Sequence, residues 1–150
     1  EAANHLLPVQ AKGKKCTSSG LWTIRDRQQD RVHLDNLPVI TFTNWFRTGH
    51  GRGIKSRRPE AVSGHPLRAL LLRLFPHSRA GDFFLFVACD GYRTLLSWEE
   101  IFETRDGARM LLVADRNSDG SIRDLQLACV ADFFVDRNVW GLSHIQLIRF

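Results

Sequence analysis

Apolar and polar positions along the chain repeat mostly with a period of two, and with a period near 3.6 over one clear stretch. Leu21-Trp22-Thr23-Ile24 predicts a short strand, and Gln28 to Asp30 reads as a polar turn. Leu37 to Asn44 holds Val39, Ile40, Thr41, Phe42 and Thr43. Those β-branched and aromatic types suit a pleated, half-buried surface. Residues 45–65 break the pattern with four glycines, one proline and little periodicity. A connection that long inside a compact domain is either functional or mobile. Leu67, Leu70, Leu71 and Leu74 then recur at helical spacing, with Pro66 at the first helical position and Pro76 as the stop. Phe83 to Ala88 is a continuous apolar run, predicted to be a buried strand. Asp90-Gly91 links it to Tyr92–Leu96 as a hairpin. Ser97 with Glu100 three residues later is a capping box for a second, short helix. Strands at Met110–Ala114 and Ile122–Val130 flank a turn at Asn117–Ser121, and Val139 to Phe150 reads as a closing strand. The sum is six or seven strands and two helices in an α+β, β-rich, mixed-sheet domain spanning residues 20–150. A polar lead-in of residues 1–19 precedes it. The predicted core is Leu67, Leu70, Leu71, Phe84, Phe86, Val87, Leu112, Leu127 and Ile145, with Trp22, Trp98 and Trp140 packed beside it.

Composition narrows the class. The 150 residues are 43% hydrophobic and 25% charged, proportions that exclude wholesale disorder and suit one domain. No apolar run approaches the roughly 20 residues that span a bilayer. The formal net charge of +5 is local. Arg47, Arg52, Lys55, Arg57 and Arg58 fall between Asn44 and Arg58 with no acid among them, so the rest of the chain balances. Cys16, Cys89 and Cys129 are odd in number and lack metal spacing, which excludes a disulfide scaffold or a zinc ribbon; one bridge plus a free thiol stays open but nothing in the spacing indicates it. Cys89 and Cys129 sit in apolar runs and are expected to behave as small buried hydrophobes. The chain opens on Glu1 and its single methionine is Met110. A processed, exported chain, periplasmic in a bacterium, and an excised piece both account for that.

The basic glycine-rich loop is the first candidate for chemistry. Arginines, His50 and backbone donors together present hydrogen bonds to an anion such as phosphate. Trp45 opens the loop, where an aromatic face can stack on a flat ring. The string Asp115-Arg116-Asn117-Ser118-Asp119-Gly120 matches the first half of a calcium loop, but Gln126 stands where the bidentate carboxylate belongs, so a hairpin turn is expected. The six histidines are scattered, and Ser63 and Ser143 lack a nucleophile elbow. No catalytic or metal-ligating set is expected from these residues.

The string Gly64-His65-Pro66-Leu67-Arg68-Ala69-Leu70-Leu71 resembles a helix of the sulfite-oxidase-type molybdopterin-binding domain. Asp90-Gly91-Tyr92-Arg93, Ser97-Trp98-Glu99-Glu100-Ile101, Leu111–Asp115 and Val139-Trp140-Gly141-Leu142-Ser143-His144-Ile145 continue the resemblance in order. It implies a β-rich α+β fold and a molybdopterin cofactor. In that family a cysteine after the early strand ligates molybdenum, whereas here Val39 to His65 contains none. Arg137 falls where the family often has a phosphate-contacting lysine. The resulting reading is a small exported module with a molybdopterin-binding-like fold that has lost redox catalysis. Arg47, His50, Arg52, Arg57, Arg137 and Trp45 are its candidate ligand-binding residues. Molybdopterin stays open as cofactor, while cysteine ligation of molybdenum is not supported. The alternatives are a molybdenum oxidoreductase and a binder of nucleic acid or an acidic protein through the basic loop. No nucleic-acid-binding signature is present, which disfavours nucleic acid.

On this reading the Arg52→Ala/Arg57→Ala double variant binds phosphate and pterin phosphates more weakly than the parent, with an unchanged melting temperature. Calorimetry at low salt and thermal denaturation check both halves.

Overall fold

The computed structural model describes residues 16–44, 60–130 and 138–150. Ten strands lie in these segments: β1 (Trp22–Arg25), β2 (Gln28–Arg31), β3 (Ile40–Asn44), β4 (Glu60–Pro66), β5 (Phe83–Ala88), β6 (Arg93–Ser97), β7 (Met110–Arg116), β8 (Ile122–Cys129), β9 (Val139–Trp140) and β10 (Leu142–Ile148). Two α-helices, α1 (Leu67–Leu74) and α2 (Trp98–Phe102), and a 3-10 turn at Asp106–Arg109 complete the set. The strands form two five-stranded sheets. Sheet 1 has the order β2-β1-β10-β5-β6 and sheet 2 the order β3-β4-β7-β8-β9. Sheet 1 is mixed, because β1 pairs with β10 in parallel while its other pairs are antiparallel. The α+β, strand-rich class expected from the sequence is what forms. Among the described residues no helix is long and apolar enough to cross a membrane.

The main core draws on both sheets and both helices. Phe84, Phe86 and Ile145 come from sheet 1, Leu112, Leu125 and Leu127 from sheet 2, Leu67, Leu70 and Leu71 from α1 and Ile101 from α2. A second cluster of Leu111, Ala128 and Val130 lies on the other face of sheet 2, against Ile40, Phe42, Val62 and Val113. So β7 and β8 are each buried on both faces over part of their length. In β5 only alternate residues are buried. The expected burial of Phe84 and Phe86 forms, but Val87 faces outward rather than into the core. An apolar run alone does not tell one buried face from two. Trp98 packs on the core and stacks with Phe102 at 5.0 Å, but Trp140 is 46% exposed, against expectation.

Local chemistry explains most boundaries. The capping box at Ser97 is present, with reciprocal bonds of 3.0 Å between Ser97 and Glu100. The half calcium loop is a hairpin turn: Asp119 accepts from the Ser121 amide and hydroxyl, and Asp115 is engaged by Arg123 at 2.6 Å. Two expected loops turn out to be strands. Gln28–Arg31 is a fully exposed edge strand, joined to β1 by a two-residue turn in which Asp26 and Arg27 both have positive φ (45° and 70°). Such turns match strand twist but usually carry glycine or asparagine. Glu60–Pro66 is likewise strand, with Glu60–Gly64 paired residue for residue with β3 and His65 with β7, and Pro66 caps α1 rather than opening it. At the C-terminus Arg149 forks onto the buried Asp82 through two 2.9 Å bonds. Those hydrogen bonds from Arg149 hold the Asp82 carboxyl below the usual range despite its burial.

The predicted closing strand is two strands. Val139–Trp140 pairs with β8 in sheet 2, then Gly141 turns and Leu142–Ile148 runs between β1 and β5 in sheet 1. A disulfide joins Cys16, just before β1, to Cys89, just after β5. This corrects the reading of Cys89 as a free hydrophobe; Cys129 is free and buried. The bridge therefore straddles the start of β10. Gly141 sits directly beneath it with φ +69°, and a Cβ there would lie 2.6 Å from Cys89 Sγ.

Gly141→Ala is expected to lower stability by more than the roughly 1–2 kcal/mol of a left-handed alanine alone, because the new methyl also meets sulfur. Chemical denaturation of parent and variant under oxidising conditions gives the difference.

Candidate binding cleft

Strand alternation sends Thr23, Phe84, Phe86 and Ile145 inward and Ile24, Val87, His144 and Gln146 outward on sheet 1. On that outer face lies a cavity of about 640 Å³. Ile24, Val87 and Ala88 supply its apolar lining. Arg27, Gln29, Arg93, Ser143, His144 and Gln146 supply polar groups, and Cys89 and Gly91 close one side. No aspartate or glutamate is among the lining residues.

A bulge builds the polar end. Leu142 pairs with Ala88 and His144 with Val87, so Ser143 is an extra residue in β10. In a regular strand neighbouring side chains point to opposite faces. Here Ser143 Oγ and His144 Nδ1 come within 2.8 Å. The serine hydroxyl also donates to the Val87 carbonyl at 3.0 Å. With its one proton given to Val87, Oγ accepts, and Nδ1 carries the ring proton. His144 Nε2 is then an acceptor, as is the Gln29 Oε1 that it faces at 3.4 Å, so these two atoms do not bond each other and Nε2 is left to accept from a donor in the cleft. A serine nucleophile needs the opposite polarity, with histidine accepting the hydroxyl proton and a carboxylate behind it. This pair presents fixed hydrogen-bonding groups to the cleft. Partial burial lowers the His144 pKa from its ordinary 6.5, so the ring is neutral near pH 7.

Arg93 faces the same space from β6, opposite Val87. Its Nε is buried and has no hydrogen-bond partner among the described residues. A donor left unpaired in that way costs about 1–3 kcal/mol. A second cavity of about 370 Å³ lies by Arg25, Phe75, His77, Ser78 and Arg149. Its arginines are already engaged: Arg25 lies over the Phe75 ring and donates to the Leu74 carbonyl, and Arg149 holds Asp82.

The sequence candidates distribute unevenly. Trp45, Arg47, His50, Arg52 and Arg57 belong to the connection between β3 and β4, and Arg137 to that between β8 and β9. All six lie outside the described residues. His65 is buried, with Nδ1 3.0 Å from the Pro38 carbonyl, a structural role. Ser63 pairs with Thr41 on the surface of the β3–β4 hairpin. Among the described residues no group of three or more histidine, cysteine or acidic residues is arranged to hold a metal. The molybdenum of the resembled family does not fit the cleft. Cys89, its one cysteine, is spent in the disulfide, and the buried Cys129 does not line it. Sequence reasoning missed Arg93 and the Ser143–His144 pair as site residues. The signal was the arginine after the Asp-Gly-Tyr turn and the adjacent serine and histidine in a strand otherwise apolar.

No protein-family model and no curated protein matches this chain.

Because the folded His144 has a lowered pKa, the unfolded chain takes up that proton first as pH falls. Its contribution to stability is thus complete well above pH 6.5 and declines below it. His144→Gln should flatten the fall in denaturation midpoint between about pH 7.5 and about pH 5.5. Denaturant titrations of parent and variant at both pH values measure it.

Proposed function

We propose that the chain is a non-catalytic binding module with a fold of the sulfite-oxidase molybdopterin-binding type, acting in an exported protein, and that its ligand is a small anion. One observation carries the reading. Two strings of the resemblance that are well separated in the chain, Asp90–Arg93 and Val139–Ile145, contribute Gly91, Arg93, Ser143 and His144 to a single cleft. The cleft has arginines and no lining carboxylate, so an anion entering it meets only favourable charges. Its volume suits a small molecule rather than a polymer. The disulfide is compatible with an oxidising compartment. The basic loop of Arg47, Arg52 and Arg57 with Trp45 and His50, and Arg137 beyond β8, remain the proposed second set of anion contacts. A molybdopterin without a protein thiolate would be held only by its anionic groups and its ring, and would lack the tuning a redox metal needs.

Native mass spectrometry of protein purified from its own host, with elemental analysis, tests the proposal. The expected result is an anionic small molecule retained without stoichiometric molybdenum. Stoichiometric molybdenum would establish the oxidoreductase instead, and steep salt-dependent binding to any oligonucleotide would establish the nucleic-acid binder.

A further inference from the structure

Resting on that reading, we infer that the cleft on the outer face of sheet 1 takes an organic acid with an apolar body, its carboxylate held by Arg93 and its body laid on Ile24 and Val87. The ligand chemistry follows from three features. Arg93 offers a buried Nε–H that no described group accepts. The Nε edge of a guanidinium presents two parallel donors, a geometry that a planar carboxylate matches. Val87, the strand partner of Arg93, and Ile24, two strands away across β10, make the neighbouring floor apolar. A hydrated spherical anion gains nothing from such a floor, whereas an alkyl or aryl chain does. At the far side Ser143 and His144 are already bonded to each other and to Val87, so they offer rigid, neutral contacts rather than a second charge. Arg27, on the β1–β2 turn, adds a cation at the rim.

The test uses the full oxidised chain and three probes: hexanoate, hexanamide and inorganic phosphate, followed by ligand-observed NMR. Hexanoate should bind at least roughly tenfold better than hexanamide, the size expected for a charge-assisted hydrogen bond. It should also bind better than phosphate. Arg93→Gln should remove that preference, while Arg123→Gln, at an exposed arginine that pairs with Asp115 away from the cleft, leaves it unchanged. Val87→Asp, which puts a carboxylate on the floor, should abolish hexanoate binding and serves as the second variant. Equal binding of hexanoate and hexanamide, or unchanged hexanoate binding in Arg93→Gln, overturns the inference. So does phosphate binding as tightly as hexanoate. Retention of a pterin from the host, with no hexanoate preference, would overturn this ligand class while leaving the binding-module proposal standing.

Discussion

The passage of β10 beneath the Cys16–Cys89 bridge is the constraint on which the rest of the structure depends. β10 has β1 on one side and β5 on the other. The bridge links the start of the first to the end of the second, across the place where β10 begins. In the chain-entropy picture, closing a loop over a sequence separation of 73 contributes on the order of 4 kcal/mol. A side chain at residue 141 would collide with the Cys89 sulfur and crowd the Cys16 carbonyl, so glycine there is a packing requirement as well as a conformational one. Sheet switching, the bulge at Ser143 and the aim of His144 all follow within three residues of that corner.

The same corner explains why polar groups gather on one face of sheet 1. Once β10 is displaced by one residue against β5, a serine and a histidine that would point apart share a face. The Asp90-Gly91 turn brings Arg93 back alongside Val87. An apolar sheet face thereby acquires a charged end without a dedicated loop. Sheet 2 resolves its outer face differently, covering Leu111, Ala128 and Val130 with a second apolar cluster.

Much of the fold was legible because local rules decided it. The helix of Leu67, Leu70 and Leu71 follows from spacing, the start of α2 from the capping box, and the β7–β8 hairpin from Asp119-Gly120. The strand β2 was illegible because all four of its residues are exposed, which leaves no alternation to read. Its turn adopts positive φ at Asp26 and Arg27 without the glycine that would announce it. β4 was hidden by Gly64 and Pro66, residues that usually break strands; at Gly64 a Cβ would lie 2.6 Å from the Leu112 carbonyl oxygen, so the close approach to β7 demands glycine. The disulfide was illegible because pairing over such a span depends on tertiary geometry. The cleft was half legible: its residues stand in the motifs, but the bulge that assembles them leaves no mark in the sequence.

The parallel pairing of β1 with β10 has a consequence for the order of folding. The first strand finds its inner neighbour only in the last. Until β10 is made, the β1–β2 and β5–β6 hairpins lack the strand that stands between them in sheet 1. Both bridge-forming cysteines are synthesised before that strand. Oxidation at that stage ties the two hairpins together around the vacant slot, so the late-arriving segment inserts into a template already set to its width. The long-range contact is then closed by covalent chemistry before the slow search for β pairing begins.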